Sequence, residues 1–183
     1  MIDLPHDWAI KGPFQQGWNS EVGGGMGRLP SPGVAWYRKR FIIPETYTEK
    51  SFFLEIDGAM SYAMVWINGN LVGGWPFGYS SWRVDLTPHI TPGEVHQLAI
   101  RLDNPNNSSR WYPGGGIYRN VWLTVTEPVH IGQWGTYITT REVSGSSATI
   151  DIEVSIDNNS ENNANVQVLT HIIEYDSISD SPG

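Results

Sequence analysis

Apolar and polar residues alternate with a period of two through most of this chain, the spacing of strands that turn one face to a core and the other to solvent. Phe52, Leu54 and Ile56 share one face of the segment Ser51 to Asp57, with Phe53, Glu55 and Asp57 on the other, which predicts a half-buried strand. Further strands are predicted at Val34 to Ile43, closed by Pro44, and at Tyr62 to Asn68, Leu71 to Trp75, Trp82 to Leu86 and Gln97 to Leu102, all rich in β-branched or aromatic residues. Asn68-Gly69 predicts a two-residue hairpin turn, because both central positions of a type I′ turn need positive φ. Thr87-Pro88 and Thr91-Pro92-Gly93 predict a turn or a single helical turn.

From Asp103 the chain is expected to pass through a polar, glycine-rich loop and to re-enter a strand at Ile117. Ile117, Arg119, Val121, Leu123 and Val125 would then share one face, with Tyr118, Asn120, Trp122 and Thr124 on the other. Glu127-Pro128 predicts a domain boundary, dividing the chain into residues 1–127 and 128–183. Beyond it, strands are predicted at Thr136 to Thr140, Ala148 to Ile156 and Val166 to Tyr175. An immunoglobulin-like sandwich needs about seven strands, so the expectation is a partial second domain. Lys11 to Gly33 reads as a long loop, broken by Pro13, Pro30, Pro32 and the run Gly23-Gly24-Gly25.

Composition supports an all-β chain. Nine Trp, eight Tyr and five Phe stand against 16% charged residues, and 20 Gly with 12 Pro favour short strands and turns over long helices. A formal net charge of -8 argues against nucleic acid as a partner, since no basic stripe is available to displace counterions from phosphates. No apolar run approaches the roughly 20 residues of a membrane span, and Met1 leads straight into Ile-Asp-Leu-Pro without a basic or apolar leader. The absence of cysteine excludes disulfides and thiolate metal sites but leaves the compartment open. His6, His89, His96, His130 and His171 show no ligand spacing, so neither a metal nor another cofactor is expected.

Arg110, Trp111 and Tyr112 carry the best case for ligand contact. An Arg fork donates paired hydrogen bonds to vicinal hydroxyls or a carboxylate, and an aromatic ring lies against the apolar C–H face of a pyranose. The alternative is structural: Trp111 in the core, Arg110 paired with a local acid, Tyr112 capping the sheet. His6 and Asp7 lack an accompanying nucleophile, and neighbours in an extended segment point apart, so His6, Asp7 and Trp8 read as a packed loop rather than a catalytic dyad. Trp36, Trp66 and Trp122 are expected in the core or on sheet faces, whereas Trp75, Phe77 and Tyr79 share a segment with Pro76 and Gly78 and are expected to be exposed, as an interdomain contact or a secondary sugar surface.

Leu4-Pro-His-Asp-Trp8, Val34-Ala-Trp-Tyr-Arg-Lys-Arg-Phe41, Val65-Trp-Ile-Asn-Gly-Asn70, Gly78-Tyr-Ser-Ser-Trp82 with Asp85-Leu-Thr-Pro88, and Ser109-Arg-Trp-Tyr-Pro-Gly-Gly-Gly-Ile-Tyr-Arg119 together resemble the N-terminal sugar-binding domain of glycoside hydrolase family 2, above all its β-galactosidase-like members. The resemblance spans roughly residues 3 to 141 and implies a jelly-roll (galactose-binding-like) β-sandwich, its first strand absent here, followed by the first strands of an immunoglobulin-like β-sandwich. It also implies a (β/α)8 barrel elsewhere in the parent enzyme that holds two catalytic glutamates. A retaining glycosidase needs two carboxyl groups about 5–5.5 Å apart. No such pair stands out among the 19 acidic residues, so no catalytic residue is assigned and the chain alone is expected to be inactive.

By resemblance, the Arg110 loop meets the sugar in the barrel's pocket, and His6, Asp7 and Trp8 help dock the domain against the barrel. The expected partners are a β-galactoside or related glycoside and the missing barrel; the parent's compartment, periplasmic or secreted among the choices, stays open. A truncated second domain would expose the apolar face of Ile150, Ile152, Val154 and Ile156, so either self-association through those strands or poor ordering of them is expected as well. An autonomous carbohydrate-binding module stays open as an alternative.

Overall fold

The computed structural model describes residues 1–12, 32–106 and 113–173. The chain divides into two compact units, Met1–His130 and Ile131–Gly183. In the first unit the strands are β1 (Gly33–Ile42), β2 (Ser51–Ile56), β3 (Ala63–Ile67), β4 (Asn70–Trp75), β5 (Trp82–Asp85), β6 (Val95–Asn104) and β7 (Val121–Thr126). Thr87–His89 forms a single 3-10 turn, and there is no α-helix among the described residues. None of the described residues forms a helix long and apolar enough to cross a membrane.

These strands make two antiparallel sheets, ordered β1-β6-β3-β4 and β5-β2-β7. Val65, Ile67, Leu98, Ile100 and Leu102 from the first sheet and Phe52, Leu54, Ile56, Trp82 and Val84 from the second belong to one buried cluster, so the two sheets close on each other as a β-sandwich. The alternation read along Gln97 to Leu102 is kept along the whole of β6, whose residues from His96 to Asn104 are buried at every second position. The Asn68-Gly69 turn has φ values of 50° and 86°, as a type I′ hairpin requires. It joins β3 to β4, where a register shift falls between Val65 and Trp66.

Three expectations are corrected. The strand after the glycine loop begins at Val121 rather than Ile117. Ile117 is fully buried, and the backbone around it is committed to other partners: Met60 bridges Gly116, and the Ile117 carbonyl accepts from the N–H of His6. β2 is buried on both faces, because Phe53 lies beneath the Arg83 guanidinium, 4.5 Å from its ring centroid, with the His130 ring 5.9 Å away. Finally, residues 166–173 of the predicted strand Val166 to Tyr175 form no strand, and the last two lie outside the described residues. Val166, Leu169 and Ile172 are exposed there, and a strand without a paired edge has no ladder to stabilise it.

The second unit holds a two-stranded antiparallel sheet, in which β8 (Val129–Val143), starting just before the division, pairs with β9 (Ala148–Asn158). It covers the predicted strands Thr136 to Thr140 and Ala148 to Ile156. Most of the predicted loop Lys11 to Gly33 lies outside the described residues.

Candidate functional site

The site grows from the end of β6. Asn104 is buried, and its side-chain N–H donates to the Gly114 carbonyl at 2.8 Å, tying together two positions ten residues apart. Arg110, Trp111 and Tyr112 lie between those positions and outside the described residues. Gly114, Gly115 and Gly116 are all buried, with φ of 84° at Gly114 and 137° at Gly116. The N-terminal segment runs alongside: His6 N–H donates to Ile117 at 2.7 Å and Trp8 N–H to Gly115 at 2.8 Å. Glycine is needed because the backbones approach so closely. A Cβ on Gly116 would run into the His6 carbonyl oxygen and sit 2.7 Å from the Tyr37 hydroxyl, and one on Gly115 would lie 2.7 Å from the Trp8 indole.

His6, Asp7 and Trp8 each have a structural task. Asp7 Oδ1 accepts from the N–H groups of Ala9 (2.9 Å) and Ile10 (3.1 Å), and Oδ2 accepts from Gly115 N–H at 3.3 Å. That carboxylate caps one turn and staples the glycine arm, the use to which short acidic side chains are best suited. Trp8 packs against the core cluster. His6 Nδ1 lies 2.8 Å from the Tyr37 hydroxyl. Burial pushes the Tyr37 phenol above its ordinary pKa, the backbone of Ile117 opposes the shift, and the Asp7 carboxylate adds to it.

Between these elements opens a pocket of about 450 Å³ lined by Pro5, His6, Asp7, Ile10, Lys11, Tyr79, Pro113, Gly114 and Tyr118. Tyr118 Oη donates to the Gly78 carbonyl at 2.7 Å, which fixes the Tyr79 segment against the arm. Burial also raises the Tyr118 phenol, with Arg119 opposing and Tyr79 adding. Apolar walls with a few directional phenol, imidazole and carboxylate groups are the makeup of a small-molecule site. Among the described residues no group of three His, Asp or Glu side chains is placed to hold a metal ion. His96 is buried and structural, its ring nitrogens bonded to Asn68 (3.1 Å) and to the Thr91 carbonyl (3.0 Å).

The structure therefore brings His6 and Asp7 to the pocket and turns Trp8 toward the core. Tyr37, Tyr79, Tyr118 and Asn104 were not assigned to the site from sequence. The signal for Asn104 was its place at the mouth of the glycine loop, where a short amide can bond to the backbone. Tyr37 gave none, since only the fold brings it to His6 across 31 residues of chain.

Residues 32–112 match the family model for the galactose-binding domain-like region of glycosyl hydrolase family 2. The chain is 46% identical over 173 residues to a β-galactosidase of Bacteroides ovatus, covering 94% of this chain and 20% of that protein. It is 32% identical over 157 residues to a putative β-glucuronidase of Formosa agariphila, covering 85% of this chain and 15% of that one. Among solved structures, a β-glycosidase from Bacteroides vulgatus superposes with a TM-score of 0.78 at 34% identity, over 88% of this chain and 21% of the other. The chain thus spans about a fifth of the length of the relatives it matches.

Proposed function

The chain belongs to glycoside hydrolase family 2 as its galactose-binding-like N-terminal domain, and from that premise we propose that it is a non-catalytic module. It lends the loop carrying Arg110, Trp111 and Tyr112 to the substrate pocket of a catalytic barrel in a β-galactosidase-like enzyme. The observation that carries this reading is the convergence of His6 and Asp7 on Pro113 and Gly114, the positions that directly follow the loop, around one pocket. In the proposed arrangement the barrel supplies the carboxyl pair and this domain supplies orientation. The Arg110 fork donates to vicinal hydroxyls of the terminal sugar, and an aromatic face of the loop takes its C–H side.

Charge-assisted hydrogen bonds are worth about 1.5–3 kcal/mol each, so Arg110→Ala in the full-length protein should lower kcat/KM for its nitrophenyl glycoside by roughly 10- to 100-fold. An unchanged kcat/KM removes the loop from the substrate pocket. A second reading, an autonomous carbohydrate-binding module, is favoured by one feature: every residue lining the pocket comes from the first unit. Isothermal titration of this chain with galactose, glucuronate and mannose separates the two. Saturable binding at millimolar affinity or better supports the autonomous module over a purely supporting role.

A further inference from the structure

Beside the pocket, the segment from Trp75 to Tyr79 exposes three aromatic rings. Trp75 is 43% exposed, Phe77 56% and Tyr79 44%. Here the backbone is held from several sides. Tyr118 Oη donates to the Gly78 carbonyl (2.7 Å), the Trp75 indole N–H donates to Ser80 Oγ (2.9 Å), and Tyr62 N–H donates to the Pro76 carbonyl (3.1 Å). Gly78 is buried against Met60, whose Cε would lie 2.6 Å from any Cβ at that position. The segment is built to present these rings in one fixed arrangement.

Tyr79 belongs to the pocket lining, and Phe77 meets it edge to face with ring centroids 5.6 Å apart. The apolar surface therefore runs without a break from the pocket wall onto its outer lip. We propose that Phe77 and Tyr79 form a second sugar subsite, in which the next pyranose of an oligosaccharide lays its C–H face on the Phe77 ring, with the Tyr79 ring at 65° to it as a side wall toward the pocket, while the terminal sugar occupies the pocket. This rests on the reading of the pocket given above and extends it. The substrate class becomes an oligosaccharide of at least two pyranose units joined by an equatorial linkage, whose flat C–H face suits one aromatic ring with a second set at an angle beside it. Rigid aromatic platforms suit such a ligand because little side-chain freedom is lost on binding.

The test uses the full-length protein and two substrates: whichever of nitrophenyl β-galactoside and nitrophenyl β-glucuronide it cleaves faster, and a β-linked trisaccharide ending in that same sugar. Phe77→Ala should lower kcat/KM for the trisaccharide about tenfold, leave the nitrophenyl glycoside within twofold, and leave Tm unchanged, since the ring is exposed. Phe77→Leu, which keeps an apolar body but no ring, should act in the same direction. Equal losses on both substrates, no loss on either, or a fall in Tm that marks a contact with another part of the protein overturns the subsite. Arg110→Ala run in parallel separates the two ideas. If it impairs both substrates while Phe77→Ala impairs neither, the pocket reading stands and the subsite fails. If Arg110→Ala impairs neither, the pocket reading itself fails.

Discussion

Gly116→Ala tests the geometry on which the site rests. Gly116 has φ of 137°, a region that costs a residue with a side chain about 1–3 kcal/mol. The added methyl would also strike the His6 carbonyl oxygen and the Tyr37 hydroxyl, so the Leu4 to Trp8 segment has to lift away. Lifting it breaks the backbone bonds from His6 to Ile117 and from Trp8 to Gly115, worth about 1 kcal/mol each. The sum is about 3–5 kcal/mol. For a unit of this size that lowers Tm by roughly 10–15 °C.

Gly69→Ala is the control: its φ of 86° is also unfavourable, but nothing lies within 4 Å of the new methyl, so about 1–2 kcal/mol is expected. Denaturant unfolding followed by tryptophan fluorescence measures both variants. Hydrogen exchange at His6 and Trp8 locates the loss, with protection falling at those two amides before the amides of β3 and β6 are affected. Equal destabilisation by the two substitutions, or unchanged protection at His6 and Trp8 in Gly116→Ala, would refute the close packing of the N-terminal segment on the glycine arm.

Three further outcomes are expected. His96→Ala removes a fully buried ring that joins Asn68 to Thr91, and should cost about 2–4 kcal/mol by denaturant titration, with no effect on sugar binding. Tyr37 and Tyr118 both have folded pKa values raised above 10.0, so each favours the folded state fully below pH 10 and loses that contribution as pH rises through its folded value. Stability should fall above pH 10, two phenols should ionise late in an absorbance titration, and Tyr37→Phe should shrink the alkaline fall. The second unit exposes Ile131, Trp134, Tyr137 and Ile138 on β8, and the 183-residue chain should therefore self-associate as concentration rises, read by light scattering after size exclusion; a monomer at every concentration counts against it.

The sandwich was legible because its signals are local. The β6 alternation and the two positive-φ residues at Asn68-Gly69 each determine their own segment, and the tertiary structure agrees with both. Ile117 to Arg119 carries the same alternation as a strand, yet the backbone from Gly116 to Arg119 spends its hydrogen bonds on Met60, His6 and Gly58, partners distant in sequence. Periodicity reports which face is apolar and says nothing of which backbone supplies the ladder. Phe53 escaped for a related reason. Its ring lies under the guanidinium of Arg83, a charged side chain that pattern reading assigns to solvent.

The site was legible only in part, because it is made by backbone more than by side chains. His6 and Trp8 reach the glycine arm through their N–H groups, a contribution any residue except proline makes, so the motif residues there are chosen for what their side chains do elsewhere. Asp7 illustrates this: its carboxylate accepts three backbone N–H groups. Asn104 completes the arrangement by bonding Gly114 across the segment that holds Arg110. Closing a loop at its base costs entropy once, on folding, instead of each time a ligand binds. Asn104, Gly114 and Gly116 hold the base of that loop in place. Asn104→Ala should consequently weaken sugar recognition in the full-length protein more than its modest loss of stability would suggest, and the ratio of those two effects measures how far the base of the loop positions its tip.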